Sequence, residues 1–114
     1  MKLTGAEYKA FFKADWEALL GKSECYIDDV AYSVDGVEVE EVDVDHLNDA
    51  SKVTMDGGYI YAQVNGRTIE VCSPGVAFKK WQLVQTHEHV VLLVPKTQTA
   101  ALINILPTFG AKKL

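Results

Sequence analysis

Metal, nucleophilic or acid–base chemistry in this chain would have to be built from three histidines, two cysteines and sixteen carboxylates. His87 and His89 have the one metal-like spacing, because residues i and i+2 of a strand point to one side and can share a zinc ion. No third ligand accompanies them, His46 being the only other histidine, so they read as exposed strand-end histidines and no metal is expected. Asp28 and Asp29 stand on opposite faces of a regular strand, which prevents joint action. Asp28 is expected to turn inward, opposite Val44, where loss of water would disfavour its charged form. Cys25 and Cys72 have neither C-x-x-C nor metal-ligand spacing and no electropositive setting. They read as reduced, packed thiols, with a disulfide between two strands as the alternative. The chain contains no G-x-S-x-G, P-loop, G-x-G-x-x-G or H-E-x-x-H motif. No enzyme, no catalytic residue and no cofactor is therefore expected.

Charge is unevenly distributed. Between Lys22 and Lys52 lie ten carboxylates and no lysine or arginine, in a chain whose formal net charge is −5. Such segregation sets a one-signed field that governs solubility, steering and choice of partner. Five of these groups, Glu38, Glu40, Glu41, Asp43 and Asp45, fall on the outer face of one predicted strand, where same-face neighbours are roughly 7 Å apart. Solvation and protection of a sheet edge account for them without function. The functional readings are docking of a basic protein and imitation of nucleic-acid phosphates; no EF-hand pattern supports a divalent ion. Direct nucleic-acid binding is not expected, since Lys79, Lys80, Lys96, Lys112 and Lys113 are too few to overcome the acidic segment. They could instead meet the acidic strand of a neighbouring copy.

Periodicity supplies the elements that must position these groups. Tyr8, Phe11, Phe12, Trp16, Leu19 and Leu20 recur at helical spacing, Thr4 and Glu7 form a capping box, and Gly21 ends a helix over residues 5–20. From residue 24 the period becomes two. Strands flank Asp35–Gly36, pairing Val34 with Val37 and Tyr32 with Val39, and the slip at Glu40–Glu41 predicts a bulge that returns Val42 and Val44 to the core face. Residues 52–55 and 59–64 read as separate strands divided by Asp56, Gly57 and Gly58. Asn65–Gly66 then turns into residues 67–71, setting Val64 opposite Arg67, Ala62 opposite Ile69 and Ile60 opposite Val71. Ser73 and Pro74 open a helix over 74–84, preferred to a strand there; 87–94 reads as a buried strand and 97–106 as a helix stopped by Pro107. The result is one α+β domain spanning residues 1–114. An antiparallel sheet of about six strands is packed on one face by the N-terminal and C-terminal helices.

The Asn65–Gly66 register turns Tyr59 and Tyr61, with Gln63, Thr68, Glu70 and Cys72, away from those helices. Rings there shield cross-strand neighbours or form the centre of an interface. With Tyr26 and Tyr32 nearby in sequence the interface is preferred, implying a homo-oligomer, dimer or trimer. No apolar run approaches the roughly 20 residues needed to span a bilayer. Charged residues from Lys2 to Glu17 interrupt any export signal, so no membrane partner and a cytoplasmic location are expected.

The segment FKKWQLVQTHEHVVLLVPK, a basic-aromatic helix leading through Gln85–Thr86 into an apolar strand and then Val94, Pro95 and Lys96, resembles small uncharacterised proteins of Mu-like prophages and genomic islands. The order of helix, antiparallel meander and helix, with an acidic surface, resembles the acidic mitochondrial-matrix protein family. That resemblance implies ring-shaped trimers that bind diverse proteins; a helix at 74–83 would be a departure, since the family runs its strands consecutively. The combined expectation is a non-catalytic, acidic, oligomeric accessory protein that binds a basic protein through Glu38, Glu40, Glu41, Asp43, Asp45, Tyr59 and Tyr61. A DNA-mimicking inhibitor carried by a mobile element is the rival reading, and a small metal-dependent enzyme the third.

Overall fold

A computed structural model describes residues 1–88 and 90–112. Among them are five strands, β1 (Lys2–Thr4), β2 (Tyr26–Val34), β3 (Val37–Val39), β4 (Lys52–Val64) and β5 (Arg67–Cys72), and four α-helices, α1 (Gly5–Phe12), α2 (Trp16–Leu20), α3 (Pro74–Thr86) and α4 (Thr99–Ile105). The chain groups into two units, residues 1–82 and 83–114. These five strands lie in the first unit, in one antiparallel sheet. β4 pairs with β1 and β5 along one edge and with β2 along the other, and β3 lies beyond β2. The α+β antiparallel class is as expected, but the sheet has five strands rather than six. Lys2–Thr4 adds a strand that periodicity did not signal, residues 52–64 form one strand instead of two, and 87–94 form none among the described residues.

β4 runs through Asp56, Gly57 and Gly58 without turning back. Val53 and Met55 are buried from odd positions, whereas Ile60 and Ala62 are buried from even ones. The exchange occurs at Gly57 and Gly58, at φ 67° and 80°, and β2 makes the same exchange opposite them at Asp29, at φ 62°. Asp28 still faces Tyr59 and Val30 still faces Gly57, so one register holds on both sides of the distortion. Two strands that turn over together keep their ladder; a period-two reading of either alone sees a break. Gly58 is required there, because a Cβ would run into the Val30 side chain and lie 2.8 Å from the Asp28 carbonyl oxygen.

The predicted helix over 5–20 is two helices. Thr4 and Glu7 form the expected capping box, but the Asp15 side chain accepts from Ala18 N–H at 3.1 Å and starts α2 afresh, which Gly21 closes in the left-handed conformation. Trp16 Nε1 donates to the Phe11 carbonyl across the break at 2.8 Å. Phe11 centres the core, its ring 5.2 Å from Trp16 and 5.5 Å from Phe78 of α3. α3 opens as predicted, with Ser73 Oγ accepting from Val76 N–H at 3.2 Å. This helix is the departure from the strand order of the mitochondrial-matrix family. At the Asn65–Gly66 hairpin Val64 and Ala62 keep their predicted partners, but a bulge between Ile60 and Tyr61 sets Cys72, not Val71, opposite Ile60. Cys72, expected outward, packs against the core with Val71.

The hairpin at Asp35–Gly36 pairs Val34 with Val37 and Tyr32 with Val39 as predicted, then ends. The bulge expected at Glu40–Glu41 does not form, and residues 40–51 leave the sheet as a loop. Val42 and Leu47 are nonetheless buried, and the loop is fixed to α1: Gly5 N–H donates to Ser51 O at 2.8 Å and Lys9 pairs with Asp49 at 2.8 Å.

In the second unit, Val90–Leu93 are exposed, which corrects the buried strand expected over 87–94. An apolar run makes no ladder without a neighbouring strand. Lys96–Gln98 and Leu106–Phe109 are 3-10 turns flanking α4. The chain therefore keeps turning past Pro107, whose missing N–H is tolerated in the first turn. Among the described residues no helix is long and apolar enough to cross a membrane.

The crowding at Gly58 separates two neighbouring glycines. Gly58→Ala is expected to cost about 2–4 kcal/mol, overpacking added to backbone strain. Gly57→Ala, whose Cβ would meet only Asp29 O at 3.8 Å, is expected to cost about 1–2 kcal/mol. Urea unfolding of the two variants checks this; equal losses would contradict it.

Candidate functional site: an acidic groove on an open strand edge

Because β3 stops at Val39, it covers only Tyr32–Val34 of β2. The outer edge of Tyr26–Val30 has no strand beside it among the described residues. Between that edge and the departing loop at residues 40–45 lies a groove of about 1140 Å³. Tyr8 and Phe12 of α1 and Trp16 of α2 line it as well. Among the described residues six carboxylates border it, Asp28, Asp29, Glu40, Glu41, Asp43 and Asp45, and no lysine or arginine does.

Each wall has a local cause. Two consecutive glutamates cannot both alternate outward from a strand, so the chain leaves the ladder where Glu40 and Glu41 begin. Val42, buried from this loop, tethers it, and the Asp43 carboxylate accepts from Asp45 N–H at 3.1 Å and bonds His46 Nδ1 at 2.8 Å. The His46 bond holds the Asp43 carboxyl below its ordinary range. On β2, Asp28 is exposed opposite Tyr59 rather than buried opposite Val44. Asp29 leaves the alternation through its positive φ, so both aspartates reach the groove, contrary to the expectation that they act on separate faces. Asp29 Oδ2 accepts from the Tyr61 hydroxyl at 2.9 Å, which raises the Tyr61 pKa.

Tyr59 and Tyr61 occupy the outer face as expected. Tyr61 sits between Tyr26, 5.6 Å away, and Tyr59, 6.1 Å away, forming a three-ring platform beside the groove. Of the predicted binding residues, Glu40, Glu41, Asp43 and Asp45 border the groove and Tyr59 and Tyr61 form the platform. Glu38 lies apart from them, paired with Ser33 by a smaller cleft. Asp28, Asp29, Phe12 and Trp16 were not among the sequence candidates for binding, and Tyr26 entered only as a neighbour of the tyrosine face. The pair of positive-φ positions that brings the aspartates together has no signature beyond Gly57–Gly58 itself.

The other candidates are placed as follows. Cys25 and Cys72 are free thiols, so no disulfide joins them. Burial raises both pKa values, and Cys25 Sγ donates to Lys22 O at 3.1 Å. His87 Nε2 lies 3.2 Å from Gly110 O, while His89, and with it the paired-histidine site, lies outside the described residues. Among the described residues no group of three or more His, Cys, Asp or Glu is arranged to hold a metal ion. No known protein family, curated protein or solved structure matches the chain.

Tyr8 gives the groove lining a measurable pH signature. Burial, reinforced by Tyr32 and Glu41, raises its pKa, so the folded state retains a proton that the unfolded chain releases at about pH 10. Stability is therefore fully present below that pH and falls as pH rises beyond it. Tyr8→Phe is expected to flatten this loss, measured as the urea midpoint from neutral to alkaline pH; an unchanged slope would contradict the assignment.

Proposed function

We propose that the chain is a non-catalytic, acidic binding protein whose groove receives an extended, basic segment of a protein partner. The observation that carries this is the combination, among the described residues, of an unpaired strand edge with six carboxylates and no lysine or arginine around one groove. An extended peptide laid along Tyr26–Val30 gains main-chain hydrogen bonds by strand addition. Its lysine or arginine side chains meet carboxylates on both walls, and Phe12, Trp16 and Tyr26 offer ring faces for cation–π contact. The Tyr26, Tyr59 and Tyr61 platform extends the contact area beyond the groove. A concave acidic lining suits a peptide better than imitation of DNA, in which the carboxylates would stand in two convex rows.

Exposed charge pairs contribute about 0.2–1 kcal/mol each. Neutralising Glu40, Glu41, Asp43 and Asp45 together as Gln and Asn is therefore expected to weaken binding of a lysine- and arginine-rich peptide by about 1–3 kcal/mol, about 5- to 150-fold. The loss should shrink as salt is added. Neutralising Asp56 and Glu70, which do not line the groove, is expected to change affinity little. Calorimetry or fluorescence anisotropy measures both, and equal effects of the two sets would overturn the proposal.

A further inference from the structure

Residues Val90–Val94 are apolar at five consecutive positions. Val90, Val91, Leu92 and Leu93 are all exposed, Leu93 completely at 102%. No strand pairs with them among the described residues. An aliphatic run of this length has the composition of a strand covered on both faces, since a half-solvated strand would alternate with polar residues. Pro95 ends the run and Lys96 follows it.

The groove in the first unit supplies what this run lacks. Its open β2 stretch, Tyr26–Val30, is also five residues long. A strand added there would have Ile27, Val30 and Val42 toward the core side and the Tyr26 ring beside it on the outer side. Charge favours the same match. Residues 83–114 hold three lysines and a single side-chain carboxylate, Glu88, whereas the groove has, among the described residues, carboxylates and no lysine or arginine. We propose that Val90–Val94 of one copy of the chain adds as a sixth strand to the Tyr26–Val30 edge of a second copy. The exchange closes an oligomer and satisfies an exposed edge and an exposed apolar run together. A basic partner then competes with the chain's own segment for one groove.

Sedimentation velocity of the full chain tests this beside the double variant Val91→Asp, Leu93→Asp. Both positions are exposed, and circular dichroism checks that the variant stays folded. The full chain is expected to assemble into two or more copies and the variant to be monomeric. The basic peptide should still bind the monomeric variant, so failure of strand exchange is distinguishable from failure of the peptide reading. In a second arm, Cys25 and Cys72 are replaced by Ser and two further variants, Asp28→Cys and Leu92→Cys, are mixed under oxidising conditions. A mixed disulfide between copies is expected. A monomeric full chain, an assembly that survives Val91→Asp, Leu93→Asp, absence of the mixed disulfide, or partition of the segment onto lipid vesicles in place of self-association would overturn the proposal.

Discussion

The constraint on which the sheet depends is the close passage of Gly58 across the Asp28 carbonyl and Val30. With Asp29 and Gly57 also in left-handed conformations, β2 and β4 turn over at one place without losing register. Above that point Tyr32 and Val34 pack inward opposite Met55 and Val53; below it Ile27 packs inward opposite Ile60. Were only one strand to turn over, half of the ladder would present its apolar residues to water. The same distortion frees Asp29 from the pleat to bond Tyr61 and to stand with Asp28 at the groove. Core formation and the chemistry of the groove thus share one cause.

The groove exists because the second hairpin strand is short. Like charges in a row are unfavourable, and a chain leaving the sheet at Glu40 spreads them through a loop where water solvates them. The loop does not drift, because Val42 and Leu47 are buried and Asp49 is paired with Lys9. An acidic wall anchored by these contacts therefore faces an unpaired strand. Exposed edges invite pairing, and proteins blunt them with charge; here the charge sits across a gap, which discourages acidic strands and favours segments that carry or adjoin lysine or arginine.

Features set by two or three adjacent residues were legible in the sequence. The Thr4–Glu7 capping box, the Asp35–Gly36 and Asn65–Gly66 hairpins, the Ser73–Pro74 helix start and the outward tyrosines all depend on local dihedrals or on simple alternation. Features that need two segments at once were not. The parity exchange requires Asp29 opposite Gly58, which no local pattern records. Asp15 competes as a cap within an uninterrupted apolar stripe, so α1 and α2 read as one helix. The run at 90–94 has strand composition but no neighbouring strand. As for the site, Glu40, Glu41, Asp43 and Asp45 were found through charge alone, whereas Asp28, Asp29 and the lining rings come together only when β3 ends early.

The central claim is that the outer edge of Tyr26–Val30 is unpaired in the isolated chain and becomes paired when an extended segment enters the acidic groove. Hydrogen exchange of individual backbone amides by NMR tests it most directly, comparing the monomeric Val91→Asp, Leu93→Asp variant alone with the same variant saturated by the lysine- and arginine-rich peptide. Outward-facing amides within Tyr26–Val30 are predicted to exchange rapidly in the first sample and slowly in the second, while those of Tyr32–Val34 stay protected in both. Amides of Tyr26–Val30 that are already protected in the peptide-free monomer, or that remain fast in the saturated sample, would contradict the account.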